Sequence, residues 1–299
     1  MEIGRLKILQ DYSPLKRRPR LSVAIPALIV SDVPHLREKT SKIGFIGRAL
    51  AMFRVDEVIV FSDALAQSQT RDVELVATLL TYLETPQYLR KHLFKIMPEL
   101  SYGGILPPLR TPHHPLRNHE KDLTVGECRE GVVVSCNNNG VMVEVGVERP
   151  VLILNKNVSL NSRVTVKITE KGKHFRGQLL SPDDVGYYWG YKVTVANKPL
   201  GHLLRDQAFD LVIATSRLGE PLMKVVDKIR AKWNNSKHVL VAFGAPSKGL
   251  HEIVKQEKLD LEELVDFTVN TVPYQATETV RTEEALYATL TALNLLMPS

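Results

Sequence analysis

A chain of 299 residues can bury one large core or two smaller ones, and 44% hydrophobic with 24% charged residues is the composition of a folded protein, which excludes disorder on the scale of a domain. No apolar run approaches the length that crosses a bilayer, and the start M-E-I-G-R-L-K-I-L-Q lacks a signal-peptide layout, so a cytoplasmic protein with no membrane partner is expected. The formal charge of +6 favours a polyanionic partner, and two cysteines, Cys128 and Cys136, without C-x-x-C or histidines at zinc spacing, predict free thiols and no metal site.

The first element is the β-branched run L-S-V-A-I-P-A-L-I-V at 21–30, a buried strand that follows the basic cluster K-R-R-P-R at 16–20. Leu36, Ile43, Ile46, Leu50 and Phe53 at helical spacing predict a helix over 33–53, and V-I-V-F at 58–61 a second strand. Strand, helix, strand in that order implies a right-handed crossover and a parallel sheet. Residues 70–97 read as one or two helices broken at Pro86, with Arg90, Lys91 and Lys95 around an apolar stripe. Regularity is then lost: P-P-L-R-T-P-H-H-P contains four prolines and the adjacent His113 and His114, and the shift in composition sets a domain boundary near 117.

From 125 to 180 the period falls to about two. Glu130 to Val134, N-N-N-G, and Val141 to Val145 form a hairpin signature, because Asn-Gly supplies the positive φ of a tight turn. Runs at 151–154, 163–168 and 175–179 add short strands, and K-G-K at 171–173 makes a basic turn. About five short strands suggest a small OB-like barrel at 118–183, inserted into an α/β domain made of 1–117 and 184–299.

The α/β pattern then resumes with a strand at 191–195, a helix at 199–205, and the buried strand F-D-L-V-I-A-T at 209–215, which ends in the loop S-R-L-G-E-P. An amphipathic helix covers 222–233. Val239 to Phe243 is a strand that breaks at Gly244 and Pro246. A charged helix follows, then a short strand at 267–269, a polar loop at 270–279, and a helix opening near Thr282 with Glu283 and Glu284 in its first turn. Polar loops at adjacent strand ends make a ligand crevice in an open α/β sheet.

G-A-P-S-K-G at 244–249 is not a phosphate loop, since Leu250 and His251 stand where Lys and Ser/Thr are required. G-x-G-x-x-G after the first strand and the G-x-S-x-G elbow are also missing. The two adjacent histidines suit a hydrogen-bonded loop better than a metal site. Two readings of the basic clusters stand side by side: solvated surface, or phosphate contacts from Lys16, Arg17, Arg18, Arg90, Lys91, Lys167, Lys171, Lys173 and Arg176.

S-K-I-G-F-I-G-R, V-A-F-G-A-P-S-K-G and N-T-V-P-Y-Q-A-T-E-T-V-R-T-E-E-A-L resemble the SPOUT superfamily of trefoil-knotted, S-adenosylmethionine-dependent RNA methyltransferases, in the branch with an inserted OB-like domain. Y-L-E-T-P-Q-Y-L-R-K-H-L-F and P-L-R-T-P-H-H-P extend the likeness over nearly the whole chain. The resemblance implies a knot threaded after about Val239, a homodimer, and S-adenosylmethionine bound by Thr215, Gly219, Gly244, Ala245, Pro246, Asn270, Thr271, Val272, Pro273, Gln275, Thr277, Thr279 and Val280. It places Arg48, within G-F-I-G-R, near the target nucleotide, and Glu278 or Arg281 near the methyl acceptor. Each of these three has a bland counterpart, surface exposure for Arg48 and salt bridging for the other two. Lys42 stands where ribose-methylating relatives carry asparagine, and Ala276 where this branch carries glycine. The first departure favours a base over the ribose as acceptor, in structured RNA such as ribosomal RNA. A non-catalytic RNA-binding or ribosome-assembly factor that keeps the knot, and a nucleotide-binding enzyme of another reaction, are the rival readings.

Overall fold

The computed structural model describes residues 13–62, 70–137, 139–154, 156–172, 175–206 and 209–297. In chain order the strands are β1 (Arg20–Pro26), β2 (Glu57–Phe61), β3 (Cys128–Asn137), β4 (Gly140–Glu144), β5 (Val151–Leu154), β6 (Arg163–Glu170), β7 (Arg176–Leu180), β8 (Lys192–Val195), β9 (Leu211–Pro221), β10 (His238–Ala242) and β11 (Phe267–Asn270). The helices are α1 (Leu36–Met52), α2 (Thr70–Glu84), α3 (Gln87–Leu93), α4 (Leu200–Asp206), α5 (Leu222–Asn234), α6 (Leu250–Gln256) and α7 (Thr282–Leu296). None of the helices among the described residues is long and apolar enough to cross a membrane.

The chain divides into two compact units: Arg17–Leu83 with Pro98–Pro108 and Tyr191–Ser299, and Glu84–Met97 with Leu109–Gly190 and the stretch up to Lys16. The first holds a six-stranded sheet in the order β11-β9-β10-β1-β2-β8, parallel throughout. Val23 of β1 lies between Val241 and Val58, so the near-continuous apolar runs are strands buried on both faces. Ala24, Ile59, Leu240, Ala242, Leu250 and Val254 share one core cluster. A recurrent aspartate organises the opposite ends of the strands: Asp56, Asp210 and Asp266 each accept a backbone N–H at the start of a neighbouring strand, from Leu21, His238 and Val212, all at 2.8 Å.

Three expectations shift. The first strand ends at Pro26, which has no N–H to continue the ladder, and 27–30 form a 3-10 turn. Helix α1 starts at Leu36, because Pro34 holds the chain before it extended. The S-R-L-G-E-P segment is the far half of β9: Ala214 pairs with Thr268 and Glu220 with Val269, so 215–219 bulge out of register. Gly219 makes this possible, since a Cβ there would come within 2.7 Å of the Thr268 carbonyl oxygen.

The second unit is a closed five-stranded barrel, β3-β4-β5-β7-β6, sealed by antiparallel pairing of β3 with β6. Its interior is aliphatic, with Phe175 buried among valines and isoleucines. The unit reaches beyond 118–183 because charge is buried outside the barrel. Arg163 of β6 binds Glu84 at 2.5 and 3.0 Å and Glu130 at 2.6 Å, and Glu130 also accepts from Thr165 and Trp189. Burial alone would raise the Glu84 pKa, but Arg163 and a hydrogen bond from His113 overcome it and hold the carboxyl well below its usual range.

Candidate functional site

The carboxyl ends of β9, β10 and β11, neighbours in the sheet, send out the loops that enclose a cleft of about 300 Å³. The loops are tied to one another. Thr215 Oγ1 donates to the Ala242 carbonyl at 3.0 Å, Asn270 Nδ2 to that of Arg217 at 2.9 Å, and Arg217 Nη1 to that of Glu278 at 2.8 Å. Asn270 Oδ1 accepts from Val272 N–H at 2.9 Å, an Asx turn that starts the 270–280 loop. Gln275 Nε2 donates to the carbonyls of Thr277 and Glu278 and closes it. Thr282 Oγ1 donates to the Gly244 carbonyl at 3.1 Å, so the first residue of α7 is fastened to the loop after β10.

Ten of the thirteen expected ligand-binding residues line this cleft: Thr215, Gly244, Ala245, Pro246, Asn270, Thr271, Val272, Gln275, Thr279 and Val280. Gly219, Pro273 and Thr277 do not. Gly219 is spent on the close passage of β11, and Pro273 and Thr277 are exposed. Gly244 serves the turn itself, since a Cβ would meet the Lys248 carbonyl at 3.1 Å. Of the expected acceptor-side residues only Glu278 lines the cleft. Arg281 is the cap of α7, its N–H bonded to Glu284 at 2.9 Å. Arg48 lies on α1 and donates to the Pro108 carbonyl at 2.9 Å. Lys42 is 6% exposed, held at 2.7 Å by both carboxylate oxygens of Asp32 and paired with Glu283 at 3.2 Å, the last without hydrogen-bond alignment.

Arg217 lies in the expected strand-end loop 215–219 and lines the cleft, whereas Phe243, His251, Glu252 and Thr282 are lining residues that the sequence does not single out. His251 and Glu252 open α6, whose Leu250, Ile253 and Val254 are buried, so helical geometry turns the other two outward. His251 Nε2 pairs with Glu262 at 2.9 Å. The sequence signal for them is the Gly-Leu step at 249–250, where the G-A-P-S-K-G loop gives way to the helix.

Among the basic residues, Arg17 is corrected: it is 3% exposed, bonded to the Phe53 carbonyl and Asn294, and its pKa is pushed down to about 10 by burial. It packs the core and cannot face a polyanion. Lys16, Arg90 and Lys171 bond backbone carbonyls, and Arg176 pairs with Glu170. Arg18, Lys91 and Lys167 are exposed, and Lys173, like Asn138 of the hairpin turn, lies outside the described residues. His113 and His114 both bond the Glu84 carbonyl, at 2.9 and 2.6 Å, and among the described residues no cluster suits a metal ion. Both cysteines are free.

Residues 20–293 match the protein family described as "Putative RNA methyltransferase". The chain belongs to this family of RNA methyltransferases. It is 34% identical to the 28S rRNA (uridine-N(3))-methyltransferase of Drosophila melanogaster, over 91% of this chain and 61% of that protein. It is 34% identical to the enzyme of the same name from Homo sapiens, over 91% of this chain and 77% of that one. An uncharacterized protein of Haloarcula marismortui is also 34% identical, over 92% of this chain and 98% of its own length. The chain thus spans about three fifths of the fly enzyme and nearly all of the archaeal relative.

Proposed function

We propose that this RNA methyltransferase uses S-adenosylmethionine, bound in the cleft at the ends of β9, β10 and β11, to methylate N3 of a uridine in large-subunit ribosomal RNA. The observation that carries the reading is the cleft itself: three tied strand-end loops, small residues at Gly244, Ala245 and Ala285, and apolar faces from Phe243, Val269 and Val280 beside amide and hydroxyl groups. That mixed lining fits an adenosyl group, with few polar groups fixing its orientation. The uridine-N3 specificity comes from the names of the fly and human relatives. Lys42 supports a base acceptor over ribose, since two carboxylates occupy its ammonium.

The bound donor supplies an electrophilic methyl group. The protein has to align the acceptor nitrogen and receive its proton. The backbone-tied loops fix the cleft, Phe243 and Val269 keep water out, and Glu278 receives the N3 proton. We read the passage of β11 across Gly219, at a distance that excludes a Cβ, as part of a trefoil knot. We read the barrel, whose strand order closes first to fourth, as an OB-like substrate grip. With Phe175 buried, that grip would act through charge on the nucleic-acid backbone, from Lys91 and Lys167. Phe45 and Met52, a heptad apart on α1 and each more than half exposed, support a homodimer, as does the exposed Leu295 of α7.

Incubation with methyl-labelled donor and large-subunit RNA lacking the modification, followed by nucleoside mass spectrometry, tests this. N3-methyluridine that depends on the protein and disappears in Glu278→Gln is expected. Donor binding by calorimetry without transfer to any RNA would leave the assembly-factor reading standing.

A further inference from the structure

Of the charged side chains that line the cleft, some are taken up by the loop architecture and one is not. Arg217 donates to the backbone carbonyl of Glu278, which puts a cation on the wall where Glu278 stands. On helix α6, which also lines the cleft, His251 is engaged by Glu262, which also accepts from Thr268 at 2.8 Å. Glu252, next along the same turn, lines the cleft as an exposed carboxylate with no hydrogen bond or ion pair among the described residues. Leu250, Ile253 and Val254 anchor the helix in the core, so this carboxylate is held at the cleft by a fixed element rather than by a loop.

A carboxylate with no partner, fixed on the cleft wall, favours cations through its Coulomb field; Glu278, the other carboxylate in the lining, is the base that the reaction already uses. S-adenosylmethionine carries a sulfonium and an ammonium against one carboxylate, and is a net cation. Its demethylated product has lost the sulfonium charge and is net neutral. Nucleoside phosphates are anions. We propose that Glu252 is the specificity residue by which the cleft prefers the cationic donor over the neutral product, which aids product release, and rejects nucleotide phosphates. This rests on the cleft being the S-adenosylmethionine site.

Calorimetry with S-adenosylmethionine, S-adenosylhomocysteine and ATP on the full chain tests it without turnover. The wild type should bind the donor about five- to tenfold tighter than the product, the size of one unit-charge interaction several ångströms apart, and should not bind ATP. In Glu252→Gln the ratio should collapse towards one, with product affinity held within about twofold, and Glu252→Asp should restore part of the preference. Added salt should erode the wild-type ratio and leave that of Glu252→Gln unchanged. A ratio that survives Glu252→Gln, or a variant that loses both ligands equally, would overturn the inference while leaving the donor site in place. Binding of neither ligand by the wild type would instead remove the donor-site reading and this inference with it.

Discussion

Thr282 Oγ1 donates to the Gly244 carbonyl at 3.1 Å from a side chain that is 4% exposed. That bond joins two walls of the cleft, the loop after β10 and the first turn of α7. In Thr282→Val the shape is kept and the bond is lost, leaving a carbonyl partly buried without its donor. The expected result is a loss of about 1–2 kcal/mol, read as a five- to thirtyfold weaker donor Kd with a modest fall in Tm. Unchanged donor affinity would show that the two walls are held by other contacts.

Gly219 lies where the β11 backbone passes β9, and a methyl group there would sit 2.7 Å from both the Thr268 oxygen and the Val269 carbonyl carbon. Backbone has little freedom to yield, so Gly219→Ala should cost about 2–3 kcal/mol or more, seen as a lower midpoint in denaturant unfolding. Gly104, which has open space around its Cα, is the control: Gly104→Ala should be close to neutral.

The sheet was legible because its strands are apolar runs bounded by turn residues: V-I-V-F, F-D-L-V-I-A-T and V-L-V-A-F fall within β2, β9 and β10 or no more than two residues beyond them. The barrel was legible from period-two patterning and the Asn-Gly turn. What periodicity could not show was which residues of a loop face inward. Gly219 and Gly244 look alike in sequence, yet one clears a backbone crossing and the other closes a turn. Arg17 read as part of a surface cluster because its neighbours are basic, and only tertiary packing brings Phe53 and Asn294 to it. Glu252 was hidden for the same reason, since its place on the cleft depends on which face of a seven-residue helix is buried.

Lys42 bridges Asp32 and Glu283, and Glu283 stands next to Thr282 in the first turn of α7. In Lys42→Met two partly buried carboxylates are left facing each other without their cation. A loss of about 2–4 kcal/mol is expected, together with weaker donor binding through the displaced turn. Adding Glu283→Gln to Lys42→Met should recover part of the loss, since one of the two opposed charges is removed, and a double-mutant cycle would measure the coupling. Additive losses would contradict a shared ion cluster.

Burial, and after it the nearby His113, push the His114 pKa down from 6.5 to about 3, and the neutral ring bonds the Glu84 carbonyl at 2.6 Å. In the unfolded chain this histidine binds a proton near its ordinary pKa, while the folded protein stays unprotonated until far lower pH. Between those two values the unfolded state therefore holds more protons, and stability falls as pH is lowered, by up to about 1.4 kcal/mol per pH unit. Glu84 adds its own loss only below the ordinary carboxylate range, because its folded pKa is depressed. The interval from about pH 7 to about pH 5 thus lies above the carboxylate range, and the share of His238, whose pKa burial also lowers, is common to wild type and a His114 variant. His114→Gln retains a donor for the Glu84 carbonyl and cannot be protonated, so its unfolding free energy should change less across that interval than the wild type's. Parallel pH profiles for the two proteins would mean that His114 takes up its proton in the fold at its ordinary pKa.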